Sequence, residues 1–377
     1  MAEYNHGTDK WSFKAEVPIA NHKHCAIADE EGGNIYMIGG HVCWCCDQDT
    51  VYSYSVSNDE WHLHSELPYV IAETACGLVK NRESHRWLIV HKSGTQTVSR
   101  YDLETDSGWD TIGQITKRFS VMNMVSLTSY SAFMLSGNWP GFGPSVWNFA
   151  HLNTNDNYDF QIGFNFLAKE HLLGSWATAS RERHYRAFQN CESSRIYAAV
   201  GWGGKAGKDL ARNLWSVLLH KRDRTGLWVN PHSCHGVIPQ LGPIRAGSGV
   251  TAIDYRLMVC GGIDEDDYDF SMASRCNWLD TNAVDPVWNL MEEMPIKRIL
   301  FPFVTYGAVA YAIAGAEGDN EASATATDRV DHWNEKRTWW QMARYPEKVF
   351  NLCAVADEGS DRIFALGGEN KNDLTAG

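Results

Sequence analysis

Short apolar runs, each closed by a pair of small residues, recur along the whole chain. Ile35-Tyr-Met-Ile leads into Gly39-Gly40, Trp87-Leu-Ile-Val-His-Lys into Ser93-Gly94, and Ala132-Phe-Met-Leu into Ser136-Gly137. The pattern returns at Ile196-Tyr-Ala-Ala-Val-Gly201, Leu257-Met-Val-Cys-Gly261-Gly262, Ala310-Tyr-Ala-Ile-Ala314-Gly315 and Ile363-Phe-Ala-Leu-Gly367-Gly368. Runs of this length between Gly, Asn and Asp turns predict β-strands. Downstream of most copies lies an aromatic residue, then a turn, then Trp, clearest in Tyr54-Ser-Val-Ser-Asn-Asp-Glu-Trp61 and Tyr101 to Trp109. Trp61 to Trp109 and Trp288 to Trp339 are each spaced by about 50 residues, the period of a repeat architecture. Each unit predicts four short strands: an apolar strand, the strand ending in the small pair, an alternating strand with Tyr, and a strand with Trp. The third unit lacks its Trp, and Tyr158 or Phe160 stands in that place.

The repeated glycine pair, Tyr and Trp resemble the kelch-repeat family of β-propellers, and the resemblance covers essentially the whole chain. It implies an all-β fold, a seven-bladed kelch-type β-propeller forming a single domain over 1–377. The ends fit this scheme. The last unit stops soon after Gly367-Gly368, whereas Tyr4 to Trp11 repeats the step from Tyr54 to Trp61. The N-terminal strands are therefore expected to complete the C-terminal blade, which would remove exposed sheet edges.

Composition narrows the possibilities. Hydrophobic residues make up 44% and charged residues 21% of the 377, as in globular proteins. A net charge of −13 gives no general attraction to DNA or RNA, so nucleic acid is not expected as a partner. No apolar run approaches the roughly 18 residues of a membrane helix, so no membrane role is expected. The first residues lack the pattern of a signal peptide, which points to the cytoplasm, and the chain is expected to be a monomer. In that compartment the ten cysteines read as free thiols, with Cys260 and Cys353 as small hydrophobes inside apolar runs.

In a propeller the loops after each glycine pair and the segments entering each innermost strand share one face, so two residue sets converge on one mouth. The entry set is rich in cations: Lys117-Arg118, Arg183, Arg245, Lys297-Arg298 and Lys348. Such a ring would capture carboxylate or phosphate, Arg in a forked geometry; salt bridges between neighbouring blades are the competing role for the same positions. Trp139, Phe142 and Trp202 in the loops after the small pairs would form ligand walls. The corresponding function is recognition of an acidic peptide or protein, or of a small anionic molecule. A standalone enzyme on a small anionic substrate is the alternative, with His22, His24, Glu73, His184 and Tyr185 as acid–base candidates. A structural subunit of a larger assembly is a third reading. No cofactor motif is evident. A transition metal is the one cofactor with candidate ligands, at His41, Cys43, Cys45 and Cys46, although three thiols this close cannot all meet one ion without loop distortion.

Overall fold

A computed structural model describes most of residues 1–112 and 248–370, apart from short segments at 22–23, 30, 43–45, 73–74, 81–83, 93–94, 254–255, 265–270, 281–286, 335–337 and 358–360. Between 113 and 247 it describes the backbone of the strands only.

The protein is all-β, with several four-stranded antiparallel sheets. No α-helix occurs among the described residues, and no helix there is long and apolar enough to cross a membrane. One sheet is formed by Cys25–Asp29, Asn34–Ile38, Gln48–Ser55 and Glu60–Ile71, paired in chain order. A second runs Gly249–Ile253, Arg256–Cys260, Cys276–Asp280 and Trp288–Met291, and a third Phe303–Tyr306, Val309–Ile313, Val330–Trp333 and Trp339–Gln341. Between the first and second of these lie a seven-stranded sheet from Ala75 to Phe166 and a three-stranded one from Trp176 to His220. The long strand Trp109–Thr128 is shared. Its first part pairs with Thr95–Asp102 and its later part with Ser131–Gly137, with the register broken between Gln114 and Phe119.

The two chain ends meet in one sheet, in the order Lys10–Phe13, Ala2–Asn5, Arg362–Leu366, Cys353–Asp357. Tyr4 lies opposite Ile363 on one side and Trp11 on the other. Tyr4 and Ile363 are fully buried in a cluster with Tyr311, Ile313 and Val330 of the neighbouring sheet.

The Tyr–Trp spacing has a repeated physical basis. Tyr4, Tyr54 and Tyr101 each donate a hydroxyl hydrogen bond to an aspartate five residues on: Asp9 at 2.9 Å, Asp59 at 2.7 Å, and Asp106. Those aspartates have positive φ of 49, 55 and 51°. The hydroxyl bond thus ties down a left-handed turn that Asp tolerates better than most residues. Each following Trp then stitches its sheet to the one before. Trp11 Nε1 donates to the Ala343 carbonyl at 2.9 Å, Trp61 Nε1 to the Ala15 carbonyl at 3.1 Å, and Trp339 Nε1 to the Glu292 carbonyl at 3.0 Å. Trp109 Nε1 uses the Ser65 hydroxyl at 3.1 Å instead. In every case the acceptor sits at the same offset after the Trp of the preceding unit. Asp59 and Asp9 also accept from the backbone N–H of Ala15 and Ala343, each at 2.8 Å. One cassette therefore satisfies polar groups at the inter-sheet seam while its rings fill it.

The cysteines differ from the expectation of free thiols. Cys25 is bonded to Cys76, with Cα atoms 6.0 Å apart, and Cys260 to Cys276. The second pair sits directly opposite in adjacent strands, whereas the first joins two different sheets. Cys353 is free.

Candidate functional site

The glycine pairs build one end of the sheets. In three of the small pairs the second residue donates its N–H to the segment entering the next sheet: Gly40 to the Ile71 carbonyl at 2.8 Å, Gly262 to Arg298 at 2.9 Å, and Gly315 to Val349 at 2.8 Å. After three of the small pairs, residues form short pairings with entry segments. Arg245 lies opposite Asp264, Arg298 opposite Glu317, and Phe350 bridges Glu369. The entry set and the loops after the small pairs are thus interleaved here, with carboxylate-bearing positions facing cation-bearing ones along the backbone.

Arg298 is the best-determined member of the entry set. Its guanidinium is fully buried, donating from Nη1 to the Ala312 carbonyl at 2.8 Å and from Nη2 to Asp331 at 2.6 Å. Asp331 is equally buried and also accepts from Nε of Arg329 at 2.9 and 3.0 Å. Burial pulls the Arg298 guanidinium down to about 10 against the opposing pull of Asp331, so it stays charged at neutral pH. As placed, Arg298 has no exposed surface with which to meet a ligand, and its charge is matched by Asp331 of the neighbouring four-stranded sheet. This is the salt-bridge role weighed for these positions, satisfied locally rather than between ligand and protein.

The neighbouring cations differ. Lys297 is exposed and pairs with exposed Asp319 at 2.8 Å. Lys348 is exposed and makes no ion pair among the described residues. Arg118 lies on Trp109–Thr128 just before Ser120, which faces Gly137, so it belongs to the glycine end. Arg183 and His184 do not. On the strand Trp176–Phe188 it is Trp176 that faces Gly201, while Arg183 and His184 face Ser194 and Ser193 near the hairpin. The register carries these two residues to the far end of that strand, away from the entry position the sequence suggested. Tyr185 follows them on the same strand.

His24 is buried at 5% exposure, and its carbonyl accepts from the Cys353 thiol at 3.6 Å. His22, Glu73, Trp139, Phe142 and Trp202 lie outside the described residues, as do Cys43 and Cys45. Of the remaining metal candidates, His41 Nδ1 contacts Asp47 at 2.8 Å across the base of its loop. Cys46 is disulfide-bonded. A sulfur held in a disulfide has no thiolate to offer a metal, which removes Cys46 from the expected ligand set. Among the described residues no group of three His, Cys, Asp or Glu side chains is placed to hold a metal ion. Sequence reasoning missed Asp331, Cys25 and Cys76. Both cysteines lie on strands that precede a small pair, in consecutive repeats.

One buried histidine sets an acid limit for this end of the molecule. His91, fully buried at the close of Arg86–His91, places Nε2 3.1 Å from the Thr95 carbonyl. Burial pushes it down to about 4, with the Thr95 carbonyl opposing. Its folded value lies below its unfolded one, so the stabilisation is complete above the ordinary histidine range. It is lost as pH falls from that range towards about 4. The loss amounts to about 3 kcal/mol at one pKa unit per 1.36 kcal/mol. Urea midpoints measured between pH 7 and 4 should fall for the wild type and fall less steeply for His91→Gln; parallel slopes would contradict this assignment.

No protein-family model matches this chain, and no curated protein matches it.

Proposed function

We propose that the sheets close into a seven-bladed, kelch-type β-propeller and that its glycine-lined mouth recognises an acidic peptide or small anionic ligand. The adjacency of the innermost strands supports the ring. Cys25–Asp29 neighbours Ala75–Lys80, which neighbours Trp109–Thr128, then Trp176–Phe188, Gly249–Ile253, Phe303–Tyr306 and Cys353–Asp357. The last of these neighbours Cys25–Asp29 again. On this reading the whole chain is one domain.

The observation that carries the functional reading is the recurrence of a cation where the chain enters an innermost strand: Arg118, Arg245, Lys297 and Lys348. Exposed Lys348, with no ion pair among the described residues, shows that such a position can face solvent. Arg298 is left out of the proposed binding set because its charge is internally matched. Loop-lined concavities on a rigid scaffold are favourable places for ligands, and a locally cationic mouth on a chain of net charge −13 would steer anions to one face.

The test uses a fluorescent oligoglutamate peptide and its oligoglutamine counterpart. The wild type should bind the glutamate peptide in preference, with affinity falling as salt rises. The combined variant Arg118→Ala, Arg245→Ala, Lys348→Ala should bind it about tenfold more weakly, since exposed pairs contribute about 0.2–1 kcal/mol each. Equal binding of both peptides, or unchanged affinity in the variant, would refute the reading.

The cytoplasmic location inferred from the N-terminal residues competes with the disulfides of Cys25–Cys76, Cys260–Cys276 and Cys46, which are features of chains that fold in an oxidising compartment. We favour the oxidising compartment because the cross-links lie within and between sheets of the folded protein.

A further inference from the structure

Neighbouring sheets meet through a repeated aromatic pair. Tyr54 of the first sheet packs against Phe364 of the sheet that contains both chain ends, with ring centroids 6.2 Å apart. Tyr4 of that end sheet packs in the same way against Tyr311 of the third sheet, at 5.6 Å. The second seam adds two histidines. His6, in the turn after Ala2–Asn5, meets the Tyr311 ring edge-on at 6.0 Å and the Tyr306 ring at 5.6 Å. His332, in register with Tyr311 on the adjacent strand, meets the same Tyr311 ring at 5.6 Å.

The polar atoms of this cluster suit neutral imidazoles. Tyr311 is fully buried, and its hydroxyl is hydrogen-bonded with Nδ1 of His6. Burial holds the Tyr311 phenol above its ordinary range, so it keeps its proton. With no other acceptor for that proton among the described residues, the hydroxyl donates to Nδ1. A protonated His6 presents a donor there instead and leaves the buried O–H unpaired. Nδ1 of His332 is buried with no hydrogen-bond partner, so a proton placed there is a buried donor without an acceptor. The nearby carboxylates are committed to other groups. Asp9 accepts from the Tyr4 hydroxyl and the Ala343 N–H, Asp331 from Arg298 and Arg329, and Asp361 from the Tyr306 hydroxyl. Burial holds His332 below the ordinary histidine range, with His6 pushing the same way and Asp9 and Asp331 opposing.

We propose that the His6–Tyr311–His332 cluster is an acid-released latch, whose protonation frees Ala2–Asn5 and Lys10–Phe13 from Arg362–Leu366 while the other sheets stay folded. These two strands are the outer pair of their sheet. Their other ties are ionic, Arg362 to Glu3 at 2.9 Å and Lys14 to Glu3 at 3.2 Å. Imidazoles are the side chains that ordinarily titrate between pH 7.5 and 5.5. Because the folded value of His332 is lowered, its stabilisation of the closed seam is complete above the ordinary histidine range and is lost as pH falls through it. Release uncovers the Arg362–Leu366 edge and the apolar cluster around Ile363 and Tyr311, a surface presented only in acid.

Hydrogen exchange read by mass spectrometry tests this, with each rate divided by the intrinsic rate at its pH and Asn34–Ile38 as the reference strand. From pH 7.5 to 5.5 the opening of Ala2–Asn5 should rise by about fivefold or more relative to the reference. The double variant His6→Gln, His332→Gln should lose that rise. An unchanged ratio in the wild type, or a rise retained in the variant, would overturn the proposal. Should the variant fail to close the seam at pH 7.5, the wild type decides by NMR titration. His332 should titrate at lower pH in the folded protein than in the urea-unfolded chain; an equal or higher value would overturn the latch.

Discussion

Asp331→Asn is expected to lower the stability of the protein by about 3–5 kcal/mol, the range for removing one member of a buried ion pair. The reason lies in what is left behind. Asp331 is 0% exposed and is the anion for both Arg298 and Arg329. An asparagine of the same shape keeps the volume but loses the charge, and its amide N–H groups face donors. Arg298, fully buried, then has an uncompensated charge that burial already disfavours. Arg298→Met should be milder, because Asp331 keeps its two contacts to Arg329. Arg298→Met combined with Asp331→Leu should recover part of the loss, since an apolar pair removes both desolvation penalties. Urea midpoints with unchanged m-values would report this order. Equal, small shifts for Asp331→Asn and Arg298→Met would mean that the pair is not buried as described.

A comparable loss, about 3 kcal/mol, is expected for Gly40→Ala, adding left-handed strain to a steric clash. Gly40 has φ of +105°, and a Cβ there would lie 2.1 Å from Asn21 Oδ1. Asn21 is itself held, donating from Nδ2 to the Gly39 carbonyl at 2.6 Å. Relief of the clash would therefore break that bond and shift the segment that leads into Cys25–Asp29. Gly33→Ala provides the control. Its φ is +66°, but a Cβ there meets nothing within 4 Å. It should show the strain alone, about 1 kcal/mol. If both variants unfold at the same urea concentration, the close approach to Asn21 carries no energy.

The strand pattern was legible because its causes are local. An apolar run of four or five residues, a turn rich in Gly and Asp, and the step from Tyr to Trp are all set within one repeat. The Tyr–Asp hydrogen bond that fixes this step spans five residues. The pairing of Tyr4 with Trp11 could be read by the same rule, since it copies Tyr54 with Trp61. The candidate site was less legible. A cation at Arg298 is plain in the sequence, but its partner Asp331 lies 33 residues away on another strand. Nothing local distinguishes an arginine that will be neutralised inside from one that will face solvent. Arg183 and His184 were misplaced for a related reason. Their strand runs from Trp176 to Phe188, much longer than the usual inner strand here, so register moved them to its far end.

Residue order along the chain was enough for the all-β character, the repeat and the turn glycines, because strand alternation and backbone sterics act over a few residues. Which charges cancel, which cysteines bond, and which end of a strand a side chain occupies depended on register between segments far apart. The Cys25–Cys76 bond spans 51 residues. Such contacts are selected by the packing of whole sheets against one another, a choice that exists only once the chain has folded.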